Sequence, residues 1–181
     1  GAPNGGSGTQ YFIGDFDGST FKSSHTDTRW MDYGPDNYAG ITWSNTGDRK
    51  LLIGWMSNWM YANVVPTQSW RSATTIAREL SLKEAGGKLY LASAPVAELS
   101  AIQGRATLLK DAGKGNAINL SRYLGGAIQP FRLDLETDQL SSFQLILSNS
   151  AGEELSIGYD ITSNQYYIDR SRAGDHSFHE N

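Results

Sequence analysis

The sequence has no cysteine, which excludes disulfide staples and thiolate metal centres but leaves the compartment open. Its only three histidines are His25, His176 and His179. The last two stand three apart near the C-terminus with no acid in a helical frame beside them. They read as exposed tail residues, and no metal is expected. No apolar run reaches the ~20 residues that span a bilayer, and Gly1 to Gly8 holds no apolar signal-peptide core. The 15 basic residues are scattered among 19 acids, for a net charge of −4 and a pI near 5.3. Nucleic acid and anionic membrane surfaces are excluded as partners, because both need clustered positive charge. Cofactor signals are missing as well. Gly5-Gly6-Ser7-Gly8 does not join a strand to a helix, as a phosphate loop must. No Gly-x-Ser-x-Gly elbow supports a serine nucleophile. Asp15 and Asp17 begin no Asp/Asn ladder and read as a turn rather than a calcium loop.

The chain is rich in aromatic residues, with nine Tyr, six Phe and five Trp, and in residues alternating with period two. Strands are expected at 10–14, 37–44, 50–56, 72–82 and 88–93, then at 127–135, 142–148, 154–159 and 165–169. Turns are expected at Asp15-Phe16-Asp17-Gly18, Asn45 to Asp48, Gly86-Gly87, Thr137-Asp138, Asn149 to Gly152 and Thr162 to Asn164, and a loop at Asp111 to Gly115. Asp-Gly and Gly-Gly pairs favour hairpins because both residues tolerate positive φ. Residues 95–102 form the one helix candidate, with Val96, Leu99 and Ile102 on a common face. This pattern is all-β, of the sandwich, barrel or propeller kind.

Trp30, Trp43, Trp55, Trp59 and Trp70 all precede residue 71, and the later part has none. A boundary is therefore expected in a linker over 96–114, between a part at 1–95 and a part at 115–181. The second part offers four or five strands, where a free-standing sandwich uses about seven. Both ends read as cut rather than finished.

Candidate chemistry concentrates in Trp30 to Arg71. Trp30-Met31-Asp32-Tyr33-Gly34-Pro35-Asp36-Asn37-Tyr38-Ala39 crowds acids and tyrosines around a Gly-Pro turn. Gly54-Trp55-Met56-Ser57-Asn58-Trp59 follows an apolar strand, and Pro66-Thr67-Gln68-Ser69-Trp70-Arg71 comes next. Aromatic faces beside carboxylates and amides suit a sugar, whose C–H faces stack on rings and whose hydroxyls take paired hydrogen bonds. The same residues also serve β cores and loops, so composition leaves both uses open.

Four segments, in order, resemble glycoside hydrolase family 32, which holds invertases, levanases, inulinases and fructosyltransferases. They are Asn4-Gly5-Gly6-Ser7-Gly8-Thr9-Gln10-Tyr11-Phe12-Ile13-Gly14-Asp15-Phe16-Asp17-Gly18; Asp32-Tyr33-Gly34 with Tyr38-Ala39; Ile53-Gly54-Trp55-Met56-Ser57-Asn58-Trp59; and Pro66-Thr67 with Trp70-Arg71-Ser72. The resemblance implies the last blades of a five-bladed β-propeller over 1–95, followed by part of a β-sandwich over 115–181. It implies retaining hydrolysis of β-fructofuranosyl bonds in levan, inulin or sucrose, by two carboxyl groups about 5–5.5 Å apart. It assigns Asp32, Trp55, Asn58, Tyr33 and Tyr38 to the substrate pocket, with Asp32 and Trp55 open to solvent at one end of the first part. Trp59 falls on a wall or in the core, and Arg71 ties strands together. An exported parent, secreted or periplasmic, is implied, with no cofactor.

The family's nucleophile lies in Asn-Asp-Pro-Asn-Gly, its stabilising acid in Arg-Asp-Pro and its acid/base Glu before Cys. None of these runs is present; Pro3-Asn4-Gly5 is preceded by Ala2. The chain by itself is therefore expected to be inactive, because a glycosidase needs both carboxyl groups. It reads either as a segment of a fructoside hydrolase that supplies pocket walls, or as a non-catalytic sugar-binding or remnant β protein. Uncovered blade faces predict self-association or a completing segment.

Overall fold

The computed structural model describes residues 6–109, 117–123 and 130–180. The chain divides into two compact units. One comprises Gly1–Ser100 with Gly174–Asn181, and the other is Ala101–Ala173.

The first unit opens with a short hairpin, β1 (Gly14–Phe16) and β2 (Phe21–Ser23). The turn falls two residues later than the sequence predicts, because Asp15 and Phe16 pair with Lys22 and Phe21. Asp17 makes the reversal, its carboxylate accepting from the amides of Ser19 (2.9 Å) and Thr20 (2.8 Å). Of the expected strand at 10–14, Gly14 falls in β1 and the rest is reduced to a bridge from Gln10 to Trp30.

The principal sheet is antiparallel in the order β3-β4-β5-β6, with β3 Tyr38–Thr42, β4 Lys50–Trp55, β5 Arg78–Ala85 and β6 Lys88–Pro95. Gly86 and Gly87 close the β5–β6 hairpin at φ 57° and 73°, the double positive φ of a tight primed turn. The strand expected over 72–82 starts only at Arg78. Before it, Ser72 takes a left-handed φ of 67°. The Gly54 amide bonds the Thr75 hydroxyl (3.0 Å) rather than a backbone carbonyl. A side chain has taken the place of a ladder bond there. Only the Trp55–Thr74 bridge continues the pairing.

The helix candidate is a 3-10 helix, Ala97–Ile102. Spacing of three is the 3-10 repeat, and it runs from buried Val96 to Ile102, which is 84% exposed. Leu52, Tyr61, Ala62 and Val96 are the buried apolar residues described in this unit. Residues 174–180 return to it, bringing the Phe178 and His179 rings 6.2 and 5.6 Å from Tyr61. His179 is thus packed against a ring, whereas His176 is the exposed tail residue expected. The His25 side chain is buried, its Nε2 accepting from the Ile13 amide at 3.1 Å.

The second unit is an antiparallel sheet of β7 (Phe143–Ser148), β8 (Glu154–Asp160) and β9 (Gln165–Arg172). Phe143, Tyr159 and Tyr166 align across it, and so do Leu145, Ile157 and Ile168. The strand expected over 127–135 is not formed in its described part, 130–135. Phe131, Leu133 and Leu135 alternate as a strand would, but alternation makes a strand only where a neighbour takes its backbone hydrogen bonds. The loop expected at Asp111 to Gly115 and residues 127–129 lie outside the described residues.

Candidate substrate-pocket wall

The site is built on β3, β4 and the loops that run into and out of them. Register places Tyr38 directly opposite Trp55, so the two aromatic residues are cross-strand neighbours. Asn37 (φ 73°) and Ala39 (φ 50°) flank Tyr38 in the left-handed region, and the pairing shifts between Tyr38 and Ile41. That irregularity re-aims the strand start, as bulges beside binding sites do.

Asp32 lies in the loop before β3. Its two carboxylate oxygens accept from Nη1 and Nη2 of Arg78, each at 3.0 Å. Its Oδ2 also accepts from the Asn37 side-chain amide. Burial pushes the Asp32 carboxyl up, but the hydrogen bonds from Arg78 and Asn37 and the Arg78 charge outweigh it. The net effect holds the carboxyl below its usual range, so it is ionised. The side chain is 35% exposed. Since a carboxylate accepts about four hydrogen bonds, Asp32 keeps accepting capacity for a ligand.

Trp55 is half-buried and packs on Trp59, ring centres 5.0 Å apart and planes tilted 57°. The Trp59 side is 64% exposed. Tyr33, at 82%, is the most open of the expected site residues. Tyr38 is at the edge of exposure, and Asp36 is occupied by the Tyr61 hydroxyl.

Asn58 is placed differently from its expected position beside the sugar. It is wholly buried. Its Oδ1 accepts from the amides of Ser7 (3.2 Å) and Met60 (3.0 Å), and its Nδ2 donates to the carbonyls of Ser7 (3.2 Å) and Pro35 (2.6 Å). Two donors and two lone pairs are the whole capacity of an amide side chain, which leaves no free position for a hydroxyl. Arg71 bonds the Asn63 carbonyl, tying loop to loop rather than strand to strand.

Residues that sequence reasoning passed over are Arg78, Asn37 and Ser7. Arg78 opens β5, where Glu79, Lys83 and Glu84 are also charged, so nothing in the local sequence singles it out. Among the described residues, no group of three or more His, Asp or Glu is placed to hold a metal ion.

Fold and site together define an antiparallel β protein with an aromatic wall beside a fixed carboxylate. The model of the glycosyl hydrolases family 32 N-terminal domain matches residues 1–93, and that of the family 32 C-terminal domain matches residues 98–181. The chain belongs to glycosyl hydrolases family 32. It is 39% identical to a levanase of Bacillus subtilis over 98% of this chain and 28% of the levanase. It is 36% identical to the extracellular exo-inulinase inuE of Aspergillus niger over 96% of this chain and 34% of that protein. The crystal structure of exo-inulinase from Aspergillus awamori superposes with a TM-score of 0.67 at 29% identity, covering 96% of this chain and 36% of the other. Fructofuranosidase from Schwanniomyces occidentalis, complexed with fructose, gives 0.65 at 31%, covering 94% and 37%. The chain thus spans about a third of the length of these relatives.

Proposed function

We propose that this chain forms part of a pocket that binds the fructosyl unit of levan, inulin or sucrose in a retaining β-fructofuranosidase, and that it supplies walls rather than the bond-breaking carboxyl groups. In this reading residues 1–95 are the last blades of a five-bladed propeller and 115–181 part of a sandwich. The observation that carries it is the Asp32 carboxylate, ionised and oriented by Arg78 and Asn37 beside cross-strand Tyr38 and Trp55. The relatives named above, a levanase, exo-inulinases and a fructofuranosidase bound to fructose, support the substrate class. Asp32 accepts from a sugar hydroxyl, a charge-assisted hydrogen bond. Trp55, Tyr38 and Tyr33 offer apolar ring faces, and Asn58 holds the wall from behind. No cofactor enters the reading, and the nucleophile and acid/base motifs named above are absent from the sequence.

Titration of the 181-residue chain with fructose, sucrose and fructooligosaccharides, followed by tryptophan fluorescence, tests the binding half. Saturable quenching with fructosides and none with glucose or maltose is expected; no response to any fructoside overturns it. A parallel assay for released fructose is expected to be blank, and sustained release would overturn the non-catalytic half. Self-association belongs to the same reading, because Trp43, Trp59 and Trp70 are 47–64% exposed. Light scattering is expected to show a species heavier than the 19.8 kDa chain.

A further inference from the structure

Three separate stretches of chain meet at one side chain. Residues 6–7 run past the 58–60 turn, and the Gly34-Pro35 turn closes on it from the other side. The Asn58 amide is the common partner, using all its hydrogen-bonding positions on Ser7, Met60 and Pro35. The next amide, Trp59 N–H, bonds the Ser7 hydroxyl at 3.3 Å. Gly6 passes so close that a Cβ there would stand 2.3 Å from Asn58 Oδ1 and 2.6 Å from Met60 Sδ. Its φ of 70° also suits glycine alone. None of these bonds belongs to the β3–β6 ladders. What the junction does hold is the turn that carries Trp59, whose own amide bonds the Ser7 hydroxyl while the following amide, of Met60, bonds Asn58 Oδ1.

We infer that Asn58 is a positioning residue that sets the tilt and spacing of the Trp55–Trp59 pair by clasping the 6–7 strap and the Pro35 carbonyl onto the 58–60 turn. The role in sugar binding rests on the pocket reading above; the role in setting the indole pair does not. The chemistry is demanding at this position. Aspartate has the same shape but turns two donors into acceptors, facing the carbonyls of Ser7 and Pro35. It would also put a charge where water cannot reach.

Two indoles at 5.0 Å couple electronically, so their geometry is read directly as an exciton couplet in circular dichroism. In the 181-residue chain, Asn58→Asp is expected to abolish that couplet. The amides of Ser7 and Met60 should lose hydrogen-exchange protection while the β5–β6 amides keep theirs. An unchanged couplet with the sheet intact overturns the inference. Should Asn58→Asp also unprotect β5–β6, Ser7→Ala decides, since it deletes only the acceptor of the Trp59 amide. A weakened couplet is expected there, and a couplet of wild-type strength overturns the inference. Fructooligosaccharide affinity, measured on the same proteins, is expected to fall about tenfold with Asn58→Asp, the equivalent of one hydrogen bond. If the unsubstituted chain binds no fructoside, the pocket reading fails, while the couplet still decides the role of Asn58.

Discussion

The guanidinium of Arg78 grips Asp32 oxygen by oxygen, with two hydrogen bonds of 3.0 Å. This planar fork is a geometry that lysine cannot reproduce. Arg78→Lys is expected to cost about 1–2 kcal/mol, discounted from a fully buried pair because Asp32 is partly open to water. The pH dependence has a definite sign. The Asp32 carboxyl is lowered by folding, so its contribution is complete above the unfolded value of about 3.9 and is lost as pH falls through the lower folded value. Melting curves of both proteins should therefore run a constant distance apart from neutral pH to about 4 and converge below it. A gap unchanged at pH 3 would show that Asp32 is not the linked group.

Removing the carboxylate tests its use rather than its support. In a full-length fructosidase carrying this segment, Asp32→Ala is expected to lower kcat/KM by about 10–200-fold, from roughly 1.5–3 kcal/mol of charge-assisted hydrogen bonding. Melting temperature must be measured alongside. Unchanged efficiency with a lower melting temperature would make Asp32 a brace for the loop and nothing more.

Gly54 is occupied space seen from the other side. A Cβ there would lie 2.1 Å from Oδ1 of Asn37, a residue that is 4% exposed and tied to Asp32. Gly54→Ala is expected to cost about 1–3 kcal/mol, as overpacking does. It should also weaken fructoside binding, because Asn37 would carry its hydrogen bond away from Asp32. Gly34→Ala is the control, since a Cβ there meets nothing within 4 Å. Denaturant titration of the two variants should separate them clearly.

Glu98 lies in the first turn of the 3-10 helix and meets Arg49 through two hydrogen bonds, 2.6 and 3.0 Å; Arg49 also bonds Glu79 at 2.9 Å. The hydrogen bonds from Arg49 hold the Glu98 carboxyl down at about 2. Its signal in a carbon-detected NMR titration should move near pH 2 rather than near 4.5. Glu98→Gln should lower the melting temperature at neutral pH, less so in high salt, and make no difference once the pH is below the folded value.

The strands expected at 50–56, 88–93, 142–148 and 154–159 were legible, to within two residues at each end, because alternation and turn glycines or asparagines agree there. Residues 72–77 were not. They carry β-branched side chains, yet the Thr75 hydroxyl takes the place of a ladder carbonyl, a substitution no propensity reports. The aromatic and acidic members of the candidate site were visible as residue types in an order that resembles the family's. Arg78 was not, because its partner lies 46 residues away in sequence. Asn58 was misplaced for a related reason. An asparagine between aromatic residues in a loop reads as surface, and only tertiary structure shows four partners closing around it.

Tyr61 lies within the first hundred residues, while Phe178 and His179, whose rings pack on it, come after the whole second sheet. During synthesis, which proceeds from the N-terminus, the first unit must wait with that tyrosine uncovered until β7, β8 and β9 have emerged. The second unit is therefore closed as a loop by the completion of the first. Sequence-distant contacts of this kind slow folding. The ring of Tyr61 is a natural timer for the event, because its surroundings change when the Phe178 and His179 rings arrive.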